Sequence, residues 1–137
     1  MQEALDRLVS DLDRREIISW LPDMKLGRPA YDRIRTAVER ESLTTNQLRN
    51  ALHALFRLRS HATEQEVFDL FARLTEHPDE RMRSEAMQLA IGVIRMHRKY
   101  PMQPLVTSEH DMATFRRALA LGVSQKVDKL ARDFLDI

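Results

Sequence analysis

Histidines and carboxylates are the residues that would carry metal or acid–base chemistry, and their spacing here favours neither. The chain has five histidines, which are His53, His61, His77, His97 and His110. None of them belongs to the His-x-x-x-His or Glu-x-x-His pairs that place two metal ligands on one helix face. Carboxylates such as Glu64 and Glu66 are two residues apart, so on a helix they point in different directions. We therefore predict no metal site, no cofactor and no catalytic acid–base pair.

Nucleophilic chemistry has no better support in the sequence. Cysteine is absent, which excludes disulfides, thiolate metal sites and cysteine nucleophiles. No segment has the glycine-rich pattern of a phosphate-binding loop or the nucleophile-elbow pattern around a serine. The N-terminus is charged where a signal peptide needs an apolar run, and no stretch reaches the ~18 apolar residues of a membrane span. These features predict a soluble, cytoplasmic protein that is not an enzyme.

The elements that would position any binding residues are helices. The length of 137 residues suits one domain, and three glycines and five prolines are few for a loop-rich fold. Apolar residues recur at helical spacing between clear capping residues, among them Thr44, Asp79, Ser108 and Ser124. We predict an all-α, single-domain fold of seven or eight helices, near residues 2–12, 14–20, 30–41, 46–59, 64–76, 80–98, 109–121 and 124–135. The first two helices could also form one continuous helix.

Residues 66–96 carry the strongest pattern. Pro78-Asp79 supplies a tight turn, Met82-Arg83 an apolar–arginine pair, and Ala86 a small residue where two helix backbones can approach closely. This segment resembles a HEAT repeat, a member of the HEAT-like and armadillo-like α-helical repeats. The resemblance implies a short α-solenoid of antiparallel helix pairs, with a structural ladder between Arg83 and Asp79 or another acid. The pairs would be 29–59, 64–98 and 109–136, and residues 1–20 would form an N-terminal cap within a single domain, 1–137.

HEAT-like proteins usually bind partners along their second helices, which the resemblance places at 46–59 and 80–98. Charged residues on those helices are therefore predicted to bind a partner: Arg49, His53 and Arg57, which share one face at i, i+4 and i+8, and Arg95, Arg98 and Lys99 at the end of the later helix. Tyr100, with Pro101 and Met102 in the long loop 99–108, is a further candidate contact. A solvated helix face explains the first set equally simply. Trp20 is interpreted as the residue that locks the N-terminal cap onto the core, with partner anchoring as the alternative.

These residues are compatible with three functions. The first is a macromolecular-interaction module, such as an adaptor, regulatory or immunity-type protein, that binds a protein partner. The second is nucleic-acid binding, because residues 28–59 hold seven arginines against three carboxylates, a local excess of four, although the whole chain carries only +1. The third is a helical-repeat enzyme resembling the HEAT-like DNA glycosylases, for which no catalytic residue can be matched.

Overall fold

The structure is a computed structural model that describes residues 1–101 and 103–137. Within these residues the chain is all-helical and contains no strand. The eight α-helices of the described residues are α1 (Gln2–Ser10), α2 (Ile17–Met24), α3 (Gly27–Arg40), α4 (Thr45–Arg57), α5 (Glu64–Leu74), α6 (Glu80–Lys99), α7 (Glu109–Leu121) and α8 (Gln125–Leu135). The all-α prediction is confirmed. The helices group into two compact units, Met1–Thr63 and Glu64–Ile137, which are described in turn.

In the first unit, α2 and α3 pack on α4, and α1 packs on α3. A short 3₁₀ turn at Asp11–Asp13 also packs on α4. Its core is aliphatic around a single buried tyrosine, with Leu8, Leu12, Ile17, Ile34, Leu52, Leu55 and Tyr31 all essentially inaccessible to solvent. Burial of such side chains stabilises the fold by about 1.5–3 kcal/mol each before conformational entropy is subtracted.

The second unit is organised around α6, as its apolar residues predict. This helix buries residues on two faces, from Met82 and Ala86 to Met87 and Ile91, because α5, α7 and α8 all pack against it. Phe68 and Phe115 meet edge to face with 6.3 Å between ring centroids, which joins α5 to α7.

Helix starts follow the predicted caps closely. The side chains of Asp79, Ser108 and Ser124 each accept a hydrogen bond from the backbone three residues on. Thr44 and Gln47 form a complete capping box, in which each side chain binds the backbone N–H of the other residue. These local signals fixed the N-termini of α4, α6, α7 and α8 to within a residue or two.

The N-terminal segment differs from its prediction. The first two helices are separate, and α2 spans Ile17–Met24 instead of 14–20. Pro22 lies in the last turn of α2, which ends at Met24 and is followed by Lys25 in a left-handed conformation. Trp20 is 38% exposed, so the interpretation that it locks a cap onto the core is wrong. Ile17 and Leu21 are the residues of α2 that are buried.

Arg33 links α1, α3 and the residue that follows α3 on the surface of the first unit. Its Nε donates to Asp6 Oδ1 at 3.1 Å and its Nη1 to Glu41 Oε2 at 2.6 Å. The hydrogen bond from Arg33 holds the pKa of Asp6 below its ordinary value, with a smaller contribution from Gln2. The hydrogen bond to Glu41 raises the pKa of Arg33 further above its already high value.

Replacing Arg33 with Gln is expected to raise the pKa of Asp6 towards its ordinary value, because the main hydrogen-bond donor to the carboxylate is lost. A folded-state pKa below the unfolded one means that Asp6 stabilises the fold above about pH 4 and that this contribution disappears as pH falls through the folded pKa. Carboxyl NMR titration of the wild type and R33Q measures the shift. The control is R35Q, which removes the Arg35–Glu39 pair from the same helix. An Asp6 pKa that is identical in R33Q and the wild type would contradict the assignment.

Candidate partner-binding groove

The predicted stripe on α4 lies on the outer side of a helix whose opposite side is core. Ala51, Leu52 and Leu55 are buried against the rest of the first unit. Arg49 and His53 are half-buried and Arg57 is exposed, and their spacing by four residues places all three on one helix face. The stripe therefore places two cations and a histidine along one side of α4.

This stripe forms one wall of a groove, and the start of α2 forms the other. The groove has a volume of about 520 Å³ and is lined by Arg15, Glu16, Ile18, Ser19, Arg49, His53 and Arg57. Three arginines and a single glutamate leave a formal charge of +2 with His53 neutral. Ile18 adds an apolar side chain to the lining. An open groove with cationic walls and one apolar contact fits an anionic side chain carried on a larger molecule.

Two asparagine side chains of α4 form hydrogen bonds with the segment that precedes α2, and so join the two walls of the groove. Asn50 Nδ2 donates to the carbonyl of Leu12 at 2.7 Å, and Asn46 Nδ2 donates to the carbonyl of Asp13 at 2.9 Å. These carbonyls lie in the 3₁₀ turn just before Arg15 and Glu16. Asn50 is only 1% exposed, so its hydrogen bond is shielded from water. The position of the α2 wall is thus set by the helix that carries the arginine stripe.

Sequence reasoning identified three of the seven residues that line this groove. It missed Arg15, Glu16, Ile18 and Ser19, which come from a different helix. A usable signal was present in Asn46 and Asn50, since asparagine is a poor helix former and two at i, i+4 spacing inside a helix suggest side chains that bind backbone elsewhere.

The second predicted cluster, at the end of α6, forms a cationic surface of its own in the second unit. Arg95, Arg98, Lys99 and Tyr100 are all exposed. The Arg98 guanidinium lies 5.3 Å from the centroid of the Phe134 ring, and Lys99 Nζ lies 5.4 Å from that of Tyr100. These cations also lie where positive charge complements a helix C-terminus. Arg98 and Lys99 therefore have local structural roles.

The loop that follows this cluster is held against α5. Gln103 Oε1 accepts from the backbone N–H of Glu64, and Gln65 exchanges two hydrogen bonds with the backbone of Val106. Met102, part of the predicted contact loop at 99–108, lies outside the described residues. His97 Nδ1 is 2.6 Å from Glu64 Oε2, which joins the end of α6 to the start of α5. The hydrogen bonds of Gln103 and Val106 therefore hold the loop against the start of α5.

Arg83 has the structural role that its sequence position predicts, but with different partners. Its Nε and Nη2 donate to the carbonyl of Gly122, and its Nη1 donates to the carbonyls of His77 and Pro78. The predicted ladder to Asp79 or another acid is therefore wrong, because Arg83 donates to backbone carbonyls and the Asp79 carboxylate accepts from the N–H of Met82.

A smaller cleft of about 280 Å³ lies between α6 and the start of α8. It is lined by Glu80, Arg81, Ser84, Glu85, Gln88, Ser124 and Val127. Ser84 Oγ donates to the carbonyl of Glu80 and accepts from the N–H of Ser124, so its polar atoms serve the fold. Two glutamates and one arginine line this cleft, so its formal charge is only −1.

No metal site arises from the histidines and carboxylates in the part of the chain that the structure describes, since no three of them are grouped to hold an ion. In the same residues, no helix is long and apolar enough to cross a membrane. His77 Nδ1 accepts from the N–H of Asp79, which gives this histidine a turn-stabilising role.

Comparison with protein families, with curated proteins and with solved structures finds no match for this chain. The resemblance to HEAT repeats therefore stays a prediction.

Proposed function

We propose that the chain is a non-enzymatic interaction module that binds an acidic segment of a partner protein in the groove between α2 and α4. The observation that supports this most directly is the lining of the groove, where Arg15, Arg49 and Arg57 face a single carboxylate, Glu16. Arginine binds carboxylates with two parallel hydrogen bonds, which makes it the cation best suited to recognise Asp or Glu side chains.

The size and shape of the groove also favour a protein segment. A volume of about 520 Å³ holds a few side chains, and the groove is partly open to solvent. Small-molecule sites generally enclose most of their ligand, whereas a segment that lies across a surface needs only one open face. Arg49 is half-buried, so its charge is less screened by solvent than that of a fully exposed arginine.

The HEAT-like resemblance supports the same surface. Within the helix pair predicted at 29–59, α4 is the second helix, and HEAT-like proteins bind partners along their second helices. An adaptor, regulatory or immunity-type role in the cytoplasm would use such a surface. The cationic end of α6, with Arg95 and Arg98, would be a secondary contact in such a role.

Nucleic-acid binding is less well supported, because three of the seven arginines in residues 28–59 are held in ion pairs. Arg28 pairs with Asp32, Arg33 with Asp6 and Glu41, and Arg35 with Glu39. Exposed pairs of this kind contribute little stability, but they reduce the local positive potential that would attract a phosphate backbone. An enzymatic role has still less support, since the hydroxyls of Ser19 and Ser84 donate to the backbone carbonyls of Glu16 and Glu80 and so serve the helices that carry them.

The test is a binding assay that allows either ligand class to succeed. A displayed library of random peptides is sorted on the purified chain, and the selected peptides are measured by fluorescence anisotropy. Labelled single-stranded and duplex DNA and RNA are measured in parallel over a range of salt concentrations. We expect the selected peptides to be rich in Asp and Glu and the nucleic acids not to displace them.

Two other outcomes would overturn the proposal. Tight DNA or RNA binding whose logarithm falls linearly with the logarithm of salt, without selection of acidic peptides, would establish the nucleic-acid function instead. Selection of peptides with no acidic preference would show that the groove does not recognise carboxylates.

A further inference from the structure

Helix α2 exposes two large apolar side chains on one side. Trp20 and Met24 are each 38% exposed, and their i, i+4 spacing places them next to each other along the helix. The Arg14 guanidinium lies 4.8 Å from the centroid of the Trp20 ring, which adds a cation to this surface. We refer to Trp20 and Met24 as the α2 ledge.

The ledge continues directly from the groove. Glu16, which lines the groove, is one helical turn before Trp20, and the N–H of Trp20 donates to the carbonyl of Glu16 at 3.2 Å. Glu16, Trp20 and Met24 therefore form one row at i, i+4 and i+8 along α2. A segment that enters the groove and runs along α2 must pass over the ledge.

The chemistry of the two surfaces together defines the partner more closely than the groove alone. We infer that the partner is an acidic segment that also carries one large apolar side chain, with its carboxylates in the groove and the apolar side chain on the α2 ledge. This inference rests on the proposed function. Charge complementarity to Arg14, Arg15, Arg49 and Arg57 favours the carboxylates, and burial of Trp20 and Met24 supplies apolar binding energy.

Aromatic residues and arginines commonly contribute much of the binding energy at protein interfaces. Tryptophan is among the residues most often found at the energetic centre of a protein interface, where its ring is shielded from water by the partner. The side chain of Trp20 is partly covered by Arg14 already, so it loses little conformational freedom on binding. The groove would thus set the preference for acids and the ledge would add affinity.

The same peptide library tests this inference with the double variant Trp20→Ala/Met24→Ala. Peptides selected on the wild type are expected to combine acidic residues with Phe, Trp, Leu or Met. Peptides selected on the variant should keep the acidic residues and lose the apolar preference. Affinity for the wild-type peptides should fall by about tenfold, as expected when an interface anchor is truncated.

Two single variants serve as controls. Leu121→Ala removes another exposed apolar side chain, from the second unit, and should leave affinity unchanged. Trp20→Phe keeps an aromatic ring on the ledge and should retain most of the affinity. Because Trp20 is the only tryptophan in the chain, its fluorescence reports directly on the ledge. We expect a shift of its emission to shorter wavelength when a selected peptide binds.

The inference and the proposed function fail in different ways. Acidic peptides without an apolar preference, bound equally by the double variant and without a change in Trp20 emission, would exclude the ledge and leave the groove as the site. Selected peptides with no acidic residues would overturn both proposals. Circular dichroism of each variant establishes that the helices are retained.

Discussion

Replacing Arg83 with Met is expected to lower the free energy of unfolding of the second unit by about 3 kcal/mol. The guanidinium makes four hydrogen bonds, at 3.0 and 2.9 Å to the carbonyl of Gly122, 3.2 Å to that of His77 and 2.7 Å to that of Pro78. Hydrogen bonds from a charged donor contribute about 1.5–3 kcal/mol each, but bonds that share one side chain are not additive.

The position of Arg83 explains why its loss should affect the whole unit. The residue is in the first turn of α6 and is only 7% exposed. The carbonyls that it binds belong to the turn before α6 and to Gly122, the residue that ends α7. Removing the guanidinium leaves three carbonyl oxygens without this donor and loosens the end of α7 from the start of α6. Methionine keeps an unbranched apolar side chain, so the substitution removes the hydrogen bonds of Arg83 and preserves most of its packing.

Urea unfolding followed by circular dichroism measures this effect. Arg81→Met is the matched control, because Arg81 lies two residues earlier on the exposed side of α6, and surface substitutions usually change stability by less than about 0.5 kcal/mol. Arg83→Lys keeps the charge but not the planar fork, so it should recover only part of the loss. Equal unfolding midpoints for Arg83→Met and Arg81→Met would contradict the stabilising role.

The sequence predicted the structural role of Arg83 but not its hydrogen-bond partners. Its role followed from a recognisable pattern of turn, arginine and small residue. Its partners could not be foreseen, because backbone carbonyls carry no sequence signature and the Gly122 carbonyl is distant along the chain. The caps at Thr44 and Ser108 were predicted correctly for the opposite reason. A cap involves residues three apart, so its geometry is fixed locally.

The residues of the groove also differ in how far the local sequence can predict them. Arg49, His53 and Arg57 were found by their spacing on one helix, which needs no knowledge of the tertiary structure. Arg15 and Glu16 could not be joined to them, because the packing of α2 on α4 decides which residues of α2 face the stripe. Trp20 was misinterpreted for a related reason. The short helix α2 already buries Ile17 and Leu21, which leaves its tryptophan on the outer side.

Reversing the charge of the groove with Arg49→Glu/Arg57→Glu is expected to weaken binding of acidic peptides by about tenfold to a hundredfold. The two substitutions change the formal charge of the groove from +2 to −2. An exposed charge pair contributes about 0.2–1 kcal/mol, and reversal replaces that attraction with repulsion of similar size. Two positions therefore change the binding free energy by about 1–4 kcal/mol, and every 1.4 kcal/mol corresponds to about tenfold.

A control of equal charge separates the groove from the net charge of the chain. Arg116→Glu/Lys129→Glu changes two exposed cations on α7 and α8, and like the groove variant it takes the net charge from +1 to −3. Arg57→Glu alone changes only the exposed member of the stripe, so it tests the groove even if substitution of the half-buried Arg49 destabilises the helix. It should weaken binding by about threefold to tenfold.

Anisotropy titrations with one selected acidic peptide compare these variants, and thermal unfolding of each verifies that it is folded. The difference between the groove variant and its control should shrink as salt is added, because exposed charges are screened beyond about 10 Å at 0.1 M ionic strength. If the two double variants lose affinity equally, the peptide senses only the net charge of the chain, and the groove is not its binding site. If only the groove variants lose affinity, the contact is local to the wall that Arg49 and Arg57 form, since both double variants have the same net charge.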